Sequence, residues 1–357
     1  MNPVNSAPHL PRSVPGRAAL RDVAIYDAET VDGQIDLSDN TNAWGTPPAA
    51  ARALAECSDG RLARYPSTYS SRLRQALAEY IGVDAEEVVT SCGSGELIDC
   101  AFRAFCEPGQ RVAYMDPTFV MTHVFAETNS LVPAPVALRA DDEPDVEAMV
   151  AGRPALIYLC SPNNPSGVAI RPESVDAVLA RFHGPVVVDE AYGEYASRTY
   201  ARTAPVRDGL LVLRTMSKAW GLAGLRIGYA LGERGLVREL ARVRGPFKVN
   251  AAAEHAAEMA LRMDQAWMRD IVAMTKDIRQ RFLGALRSHG FAPLPSDANF
   301  VLIPLPDAAE ARRALLTKNI SVRAFKALPK IGDAIRVTLA PWPIMEQVLA
   351  TLSDSAR

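Results

Sequence analysis

The feature that most constrains this chain is an alternation. Short apolar runs, rich in Val, Ile and Leu, are separated by stretches of helical periodicity, and nearly every run ends in a polar or glycine-bearing motif. The pattern predicts strands at Glu87–Ser91, Arg111–Tyr114, Leu131–Val136, Ala155–Cys160, Pro185–Val188, Gly209–Arg214 and Ile227–Leu231. Between them it predicts helices at Pro48–Glu56, Ser71–Ile81, Glu96–Phe105, Val120–Glu127 and Val175–Phe182. A strand that is apolar on both faces must be covered on both faces. The expected fold class is therefore α/β, a mostly parallel sheet between helical layers. Ligands of such sheets sit beyond the carboxyl ends of the strands, where these motifs fall.

From about Ala251 the text changes. The helices lengthen up to Gly290, and strands at Asn299–Ile303, Ser321–Arg323 and Ile335–Leu339 bracket a helix at Ala308–Lys318. This predicts a smaller α+β C-terminal domain over 251–357, a large sheet domain over 46–250, and an N-terminal arm with a contribution to the small domain over 1–45. A length of 357 residues accommodates two such domains. The net charge of −2 supplies no global positive field, which argues against nucleic acid or an anionic membrane as partner. No apolar run approaches the roughly 20 residues of a membrane-spanning helix. Five cysteines without a C-x-x-C pair, and five histidines without ligand spacing, predict no disulfide framework and no metal site. A reducing cytoplasm suits such a chain best. Met1–Gly16 carries four prolines and no apolar core, which predicts an extended arm rather than a signal peptide.

Several motifs carry chemistry. Lys218 follows the strand ending at Arg214 and is succeeded by Ala219, Trp220 and Gly221. Such surroundings desolvate an amine, lower its pKa and suit it to Schiff-base chemistry, although alone it reads equally as a loop lysine. Asp189 ends the strand Pro185–Val188, and a carboxylate there faces a ligand or caps a helix. Ser161-Pro162-Asn163-Asn164-Pro165-Ser166-Gly167 is a turn whose asparagines offer amides to a ligand. Gly93-Ser94-Gly95-Glu96 opens a helix. Ile98 stands where a dinucleotide fingerprint needs its third glycine, so a single phosphate is the better ligand. Arg226 lies eight residues beyond Lys218 and is placed to answer that phosphate. Arg336 interrupts an apolar strand, where an arginine calls for an anionic ligand or an ion pair. Phe119, Trp44 and Trp220 read as either core or pocket wall.

Taken in chain order (phosphate turn, asparagine turn, acid, lysine, arginine), the motifs resemble the fold type I, aspartate-aminotransferase-like superfamily of pyridoxal-phosphate enzymes, and within it the histidinol-phosphate aminotransferase branch. The resemblance runs from about Asp36 to the C-terminus. It implies a seven-stranded, mostly parallel sheet in a large cofactor-binding domain with a smaller α+β domain. It implies pyridoxal 5'-phosphate as cofactor. Lys218 would form the Schiff base with it and then act as base and acid of the proton shift. Asp189 would pair with the ring nitrogen, and Asn164 and Tyr192 with the phenolic oxygen. Phe119, in place of the family's tyrosine, would stack on the ring. Ser94, Gly95, Ser217 and Arg226 would hold the phosphate, joined by Tyr65 of a neighbouring subunit in a homodimer with shared sites. Arg336 would grip the substrate's anionic group, with Arg323 a second family arginine near the same end, facing a phosphate, a carboxylate or a neighbouring side chain, and Trp44 would favour an aromatic or imidazole side chain.

The implied reaction moves an amino group from histidinol phosphate or an aromatic amino acid to a 2-oxo acid such as 2-oxoglutarate. Decarboxylation or cyclisation on the same cofactor, and a non-enzymatic regulator on the same fold, stay open as alternatives. Three departures from the family pattern occur, the first two at the substrate end, where they keep the substrate open, and the third beside the phosphate loop. Asn42-Ala43-Trp44-Gly45 replaces N-P-Y-G. Leu339-Ala340-Pro341 replaces the residues usual after the threonine that follows the substrate arginine. Gly95 replaces an aspartate.

Overall fold

A computed structural model describes residues 16–17, 20–21, 23, 35–57 and 60–355. Apart from Gly16, the arm expected over Met1–Gly16 lies outside the described residues. In chain order the strands are β1 (Ile35–Asp36), β2 (Val88–Ser91), β3 (Arg111–Asp116), β4 (Val132–Ala137), β5 (Leu156–Cys160), β6 (Val186–Asp189), β7 (Leu210–Thr215), β8 (Gly228–Gly232), β9 (Phe300–Pro304), β10 (Ile320–Ser321), β11 (Arg323–Leu328) and β12 (Gly332–Thr338). The helices are α1 (Pro48–Ala55), α2 (Ser71–Ile81), α3 (Ser94–Phe105), α4 (Met121–Thr128), α5 (Val146–Ala151), α6 (Pro172–Arg181), α7 (Arg234–Arg244), α8 (Ala251–Met263), α9 (Gln265–Ser288), α10 (Ala308–Leu316) and α11 (Trp342–Ser355).

Seven strands form the main sheet in the order β2-β8-β7-β6-β5-β3-β4. Only β8 runs against the rest, pairing antiparallel with both β2 and β7. Alternation along the central strands sends side chains to two separate cores. Ile157, Leu159, Val186, Val188, Leu210 and Val212 face one layer. Leu156, Tyr158, Cys160, Val187, Leu211 and Leu213 face the other, which α3 and α7 cover. Fully burying such a side chain contributes about 1.5–3 kcal/mol, so these runs dominate the stability of the sheet.

A second unit surrounds the antiparallel sheet β11-β12-β9, with α10, α11 and the C-terminal half of α9 packed on it. The short strand β1 pairs parallel with β10, and Leu37 joins this core, so the chain near residue 36 belongs with the smaller unit. The expected cut at 250/251 does not coincide with the packing. Helix α8 lies on α1 and α2, and its alanine-rich face, Ala253, Ala256, Ala257 and Ala260, is buried in the core of the main sheet. The passage between the two cores falls inside α9, after Val272 and before Phe282. Among the described residues no helix is long and apolar enough to cross a membrane.

Candidate active site

A cavity of about 830 Å³ opens beyond the carboxyl ends of β3, β5, β6 and β7 and is closed on its far side by β11 and β12. The sheet's parity explains much of its floor. Asp189 has the same facing as Val187, towards the α3 side, and so meets Tyr158 on the neighbouring strand. The Tyr158 hydroxyl donates to Asp189 Oδ2 at 2.9 Å, and the Ala191 amide donates to Oδ1 at 3.0 Å. Burial pushes the Asp189 carboxyl up to about 6, against these two donors and the charge of Lys218. Its neighbour Glu190 faces the other way, into a buried cluster where Arg214 reaches Glu190 at 3.0 Å and Glu194 at 2.7 Å.

Lys218 lines the same cavity, its Nζ donating to the Asp39 carbonyl at 2.7 Å. Desolvation lowers its ammonium to about 8; Arg336 and Arg226 act in the same direction, and Asp39 and Asp189 oppose it. Tyr192 stands beside it, its ring centroid 5.9 Å from Nζ and its hydroxyl accepting from Asn40 Nδ2 at 2.9 Å.

The opening of α3 is shaped by what glycine leaves out. Gly93 has φ +83°, and a Cβ on it would lie 2.4 Å from an Arg226 Nη atom. A Cβ on Gly228 would lie 2.3 Å from the Gly93 carbonyl carbon and from the Ser94 nitrogen. The bare backbone therefore lets the guanidinium settle against a helix N-terminus that no side chain caps. Ser94, Gly95, Thr215, Ser217 and Arg226 all line this end of the cavity. Helix dipole, amides, hydroxyls and a cation together form a cradle for a phosphate group. With the buried acid, the desolvated lysine and the flat wall of Phe119, these residues fit a phosphorylated pyridine cofactor.

At the other end, Arg336 is fixed from several sides. It donates to Asn164 Oδ1 and to the Ser38 carbonyl, and its guanidinium lies between the Phe300 and Phe325 rings at 5.4 and 5.7 Å. Arg323 sits opposite Arg336 in the β11–β12 register and also lines the cavity. Of the two asparagines in the turn, Asn163 is structural. It accepts from Thr118 at 2.9 Å and donates to the Pro117 carbonyl at 3.0 Å, which leaves Asn164 on the cavity wall.

Ser94, Gly95, Phe119, Asn164, Asp189, Tyr192, Ser217, Lys218, Arg226, Arg323 and Arg336 thus meet in one cavity. Two expected residues do not. Trp44 is half-buried but lies off the cavity wall, because its loop is spent as a buttress. Asn42 Nδ2 donates to the Ala219 carbonyl at 3.0 Å, and the Gly45 carbonyl approaches Gly221 so closely that a Cβ there would be 2.2 Å away. Tyr65 is 84% exposed and stacks on Phe247 with centroids 4.9 Å apart, away from this chain's own cavity. Trp220 is fully buried core against Tyr80. Sequence reading passed over Tyr158, hidden inside an apolar run, and Asn40, whose left-handed backbone (φ 59°) carries it to Tyr192. Asn40 is tied to the smaller unit through Thr338 and Asn299, so it links the two cores at the cavity.

Comparison with known proteins gives the family and the fold. The family model described as aminotransferase class I and II matches residues 32–348. A histidinol-phosphate aminotransferase of Methylibium petroleiphilum is 37% identical over 360 residues, covering 97% of this chain and 95% of its own. An aromatic amino acid aminotransferase of Corynebacterium glutamicum (strain R) is 35% identical over 334 residues, covering 91% of this chain and 95% of its own. The crystal structure of histidinol-phosphate aminotransferase from Sinorhizobium meliloti in complex with pyridoxal-5'-phosphate superposes with a TM-score of 0.82 at 26% identity, covering 90% of each chain.

Proposed function

The chain belongs to the class I and II aminotransferase family and is a pyridoxal-phosphate-dependent aminotransferase; from that premise we propose that its donor is histidinol phosphate or an aromatic amino acid and its acceptor a 2-oxo acid, with 2-oxoglutarate the first candidate. The observation that carries this reading is the layout of one cavity. A phosphate cradle and a buried acid occupy its sheet end, Lys218 lies on its wall, and two arginines on neighbouring strands occupy the other end. Tyr114, Phe119, His123 and Phe325 line the remainder and suit a flat, aromatic or imidazole side chain.

The cofactor, when bound, supplies an electron sink for the bond broken at the donor's α-carbon. Ser94, Gly95, Ser217 and Arg226 would hold its phosphate, Asp189 would pair with its ring nitrogen, Asn164 and Tyr192 with its phenolic oxygen, and Phe119 would stack on its ring. Lys218 Nζ takes the proton from the donor's α-carbon and later returns one, a task suited to an amine whose pKa burial has brought near neutrality. Arg336 and Arg323 bind the anionic end of the substrate and set its orientation. The exposed Tyr65 reaches the phosphate held by a second copy, making the working unit a homodimer with shared sites. The fold divides into a cofactor-binding unit and a smaller unit. The cysteines among the described residues are free thiols, in keeping with a cytoplasmic enzyme.

The test is a half-reaction followed by visible absorbance. Holoenzyme given one donor at a time loses its yellow absorbance with histidinol phosphate or an aromatic amino acid, and regains it with 2-oxoglutarate. Lys218→Ala does neither. Release of carbon dioxide without recovery by a 2-oxo acid, or wild-type turnover by Lys218→Ala, would overturn the reading.

A further inference from the structure

Asp189 is held on both oxygens before any ligand is considered. Its carboxylate is 3% exposed, and the fully buried Tyr158 donates to one oxygen while the backbone of Ala191 donates to the other. The two donors differ in kind. The amide belongs to the turn that any carboxylate at the end of β6 would make. The phenol is a side chain set two residues before the end of β5, on the one facing that can reach Asp189, in a run whose other members are Leu, Ile and Cys. A polar atom in such a layer persists only with a partner; the hydroxyl donates to Asp189, with the Thr122 hydroxyl and the Cys160 thiol beside it.

We propose that Tyr158 is a positioning residue for Asp189: its hydroxyl keeps the carboxylate ionised and fixes its orientation, so that a negative charge is presented to the ring nitrogen of the cofactor. This rests on the reading of Asp189 given above. The groups facing Asp189 are few. Tyr158 and Cys160 come from β5, Glu190 and Tyr192 from its own turn, and Lys218 from the segment after β7. Glu190 is turned away into its contacts with Arg214, Thr199 and the Tyr200 amide. Cys160 and Tyr192 are pushed up by burial and stay neutral at physiological pH. Tyr158, itself far above its ordinary pKa through burial, is a donor throughout the working range. The charge of Asp189 is therefore governed by burial and the Glu190 charge on one side and by Tyr158, Ala191 and Lys218 on the other. Tyr158 is the donor that a single-atom change removes.

The sign follows from the direction of its action. A hydrogen bond to the ionised form lowers a carboxyl pKa, so its loss raises that pKa. Cofactor affinity, which needs the ionised acid, is lost as the pH falls through the carboxyl's folded value of about 6 in the wild type. In Tyr158→Phe the loss begins at higher pH.

The experiment titrates apoenzyme with pyridoxal phosphate from acidic to neutral pH, reading the cofactor dissociation constant by absorbance, with melting temperatures recorded alongside. Wild type, Tyr158→Phe, Asp189→Asn and the double variant are compared. The expected result for Tyr158→Phe is a midpoint raised by about one pH unit, with affinity about twofold weaker at pH 7 and approaching tenfold weaker below about pH 6. In the Asp189→Asn background the same change shifts nothing. A Tyr158→Phe protein that binds with the wild-type midpoint, or whose sole defect is a lower melting temperature, overturns the proposal, since phenylalanine preserves the packing of the ring. If Asp189→Asn itself leaves affinity and its pH dependence intact, the assignment of Asp189 fails instead.

Discussion

A lysine amine attacks a carbonyl carbon only after losing its proton, and the surroundings of Lys218 make that loss easier than in water. Desolvation lowers its ammonium to about 8, and the positive charges of Arg336 and Arg226 act in the same direction. Below that pH the ammonium predominates; above it the free amine does. Uptake of pyridoxal phosphate by apoenzyme is therefore expected to quicken about tenfold per pH unit on the acidic side and to level off above about 8. Stopped-flow absorbance reads this directly. A rate still climbing at about pH 10, as for an ordinary lysine, would show that burial does not govern the amine. At this scale the sequence is legible where a polar residue follows an apolar run, as at Lys218 and Asp189. It was silent on Tyr158, which sits inside such a run and becomes visible only through the parity it shares with Asp189 across two strands. Asn40 was equally silent, because a loop asparagine in a left-handed turn has no periodic neighbours to mark it.

Three elements converge on the phosphate end of the cavity: the N-terminus of α3, the start of β8 and the turn carrying Arg226. They come this close because Gly93 and Gly228 carry no side chains. Gly93→Ala is expected to fold, since the nearest obstacle is the movable end of Arg226, with stability lowered by about 1–3 kcal/mol, because φ +83° with ψ 159° is a backbone region open essentially to glycine. Its guanidinium is pushed out of the cradle, so the cofactor dissociation constant rises at least about tenfold, the loss of one charge-assisted contact. Apoenzyme titration checks this, and wild-type affinity would show that Arg226 does not serve the phosphate. Element by element, legibility follows facing. β5, β6 and β7 are buried on both faces and read as continuous apolar runs. The apolar pattern carries β11 no further than Arg323, because Arg323, Phe325 and Lys326 line the cavity and leave no apolar rhythm. That β8 runs antiparallel has no sequence mark, since an apolar run has no direction. Helix α8 was expected with the smaller unit because periodicity shows that a helix has an apolar face, not which core receives it.

At the scale of the molecule, the two cores meet at the cavity through Asn40 and through the arginines of β11 and β12, so an anionic substrate held by those arginines, as proposed, would bridge the cofactor end and the smaller unit. The cavity of one chain has no use for Tyr65, which stands exposed beside Phe247, with Leu62 and Tyr69 also exposed nearby in the sequence. Aromatic and aliphatic surface of this kind is the usual material of an interface between copies. If the sites are shared, each one takes Lys218 from one chain and Tyr65 from the other, and two different defects can be separated by pairing. Lys218→Ala carries an intact Tyr65, and Tyr65→Ala carries an intact Lys218. A dimer containing one of each has one site with both residues and one with neither. Co-expressed with two different tags and purified through both, such dimers are expected to show about half the wild-type activity, although each parent alone is impaired. Activity no greater than the mean of the two parents would mean that Tyr65 acts within its own chain or not at all. Failure of the two tags to purify together would remove the dimer itself. Recovery to about half requires both the dimer and the crossing of Tyr65 into the neighbouring site, because no arrangement of independent chains restores a residue that each active site lacks.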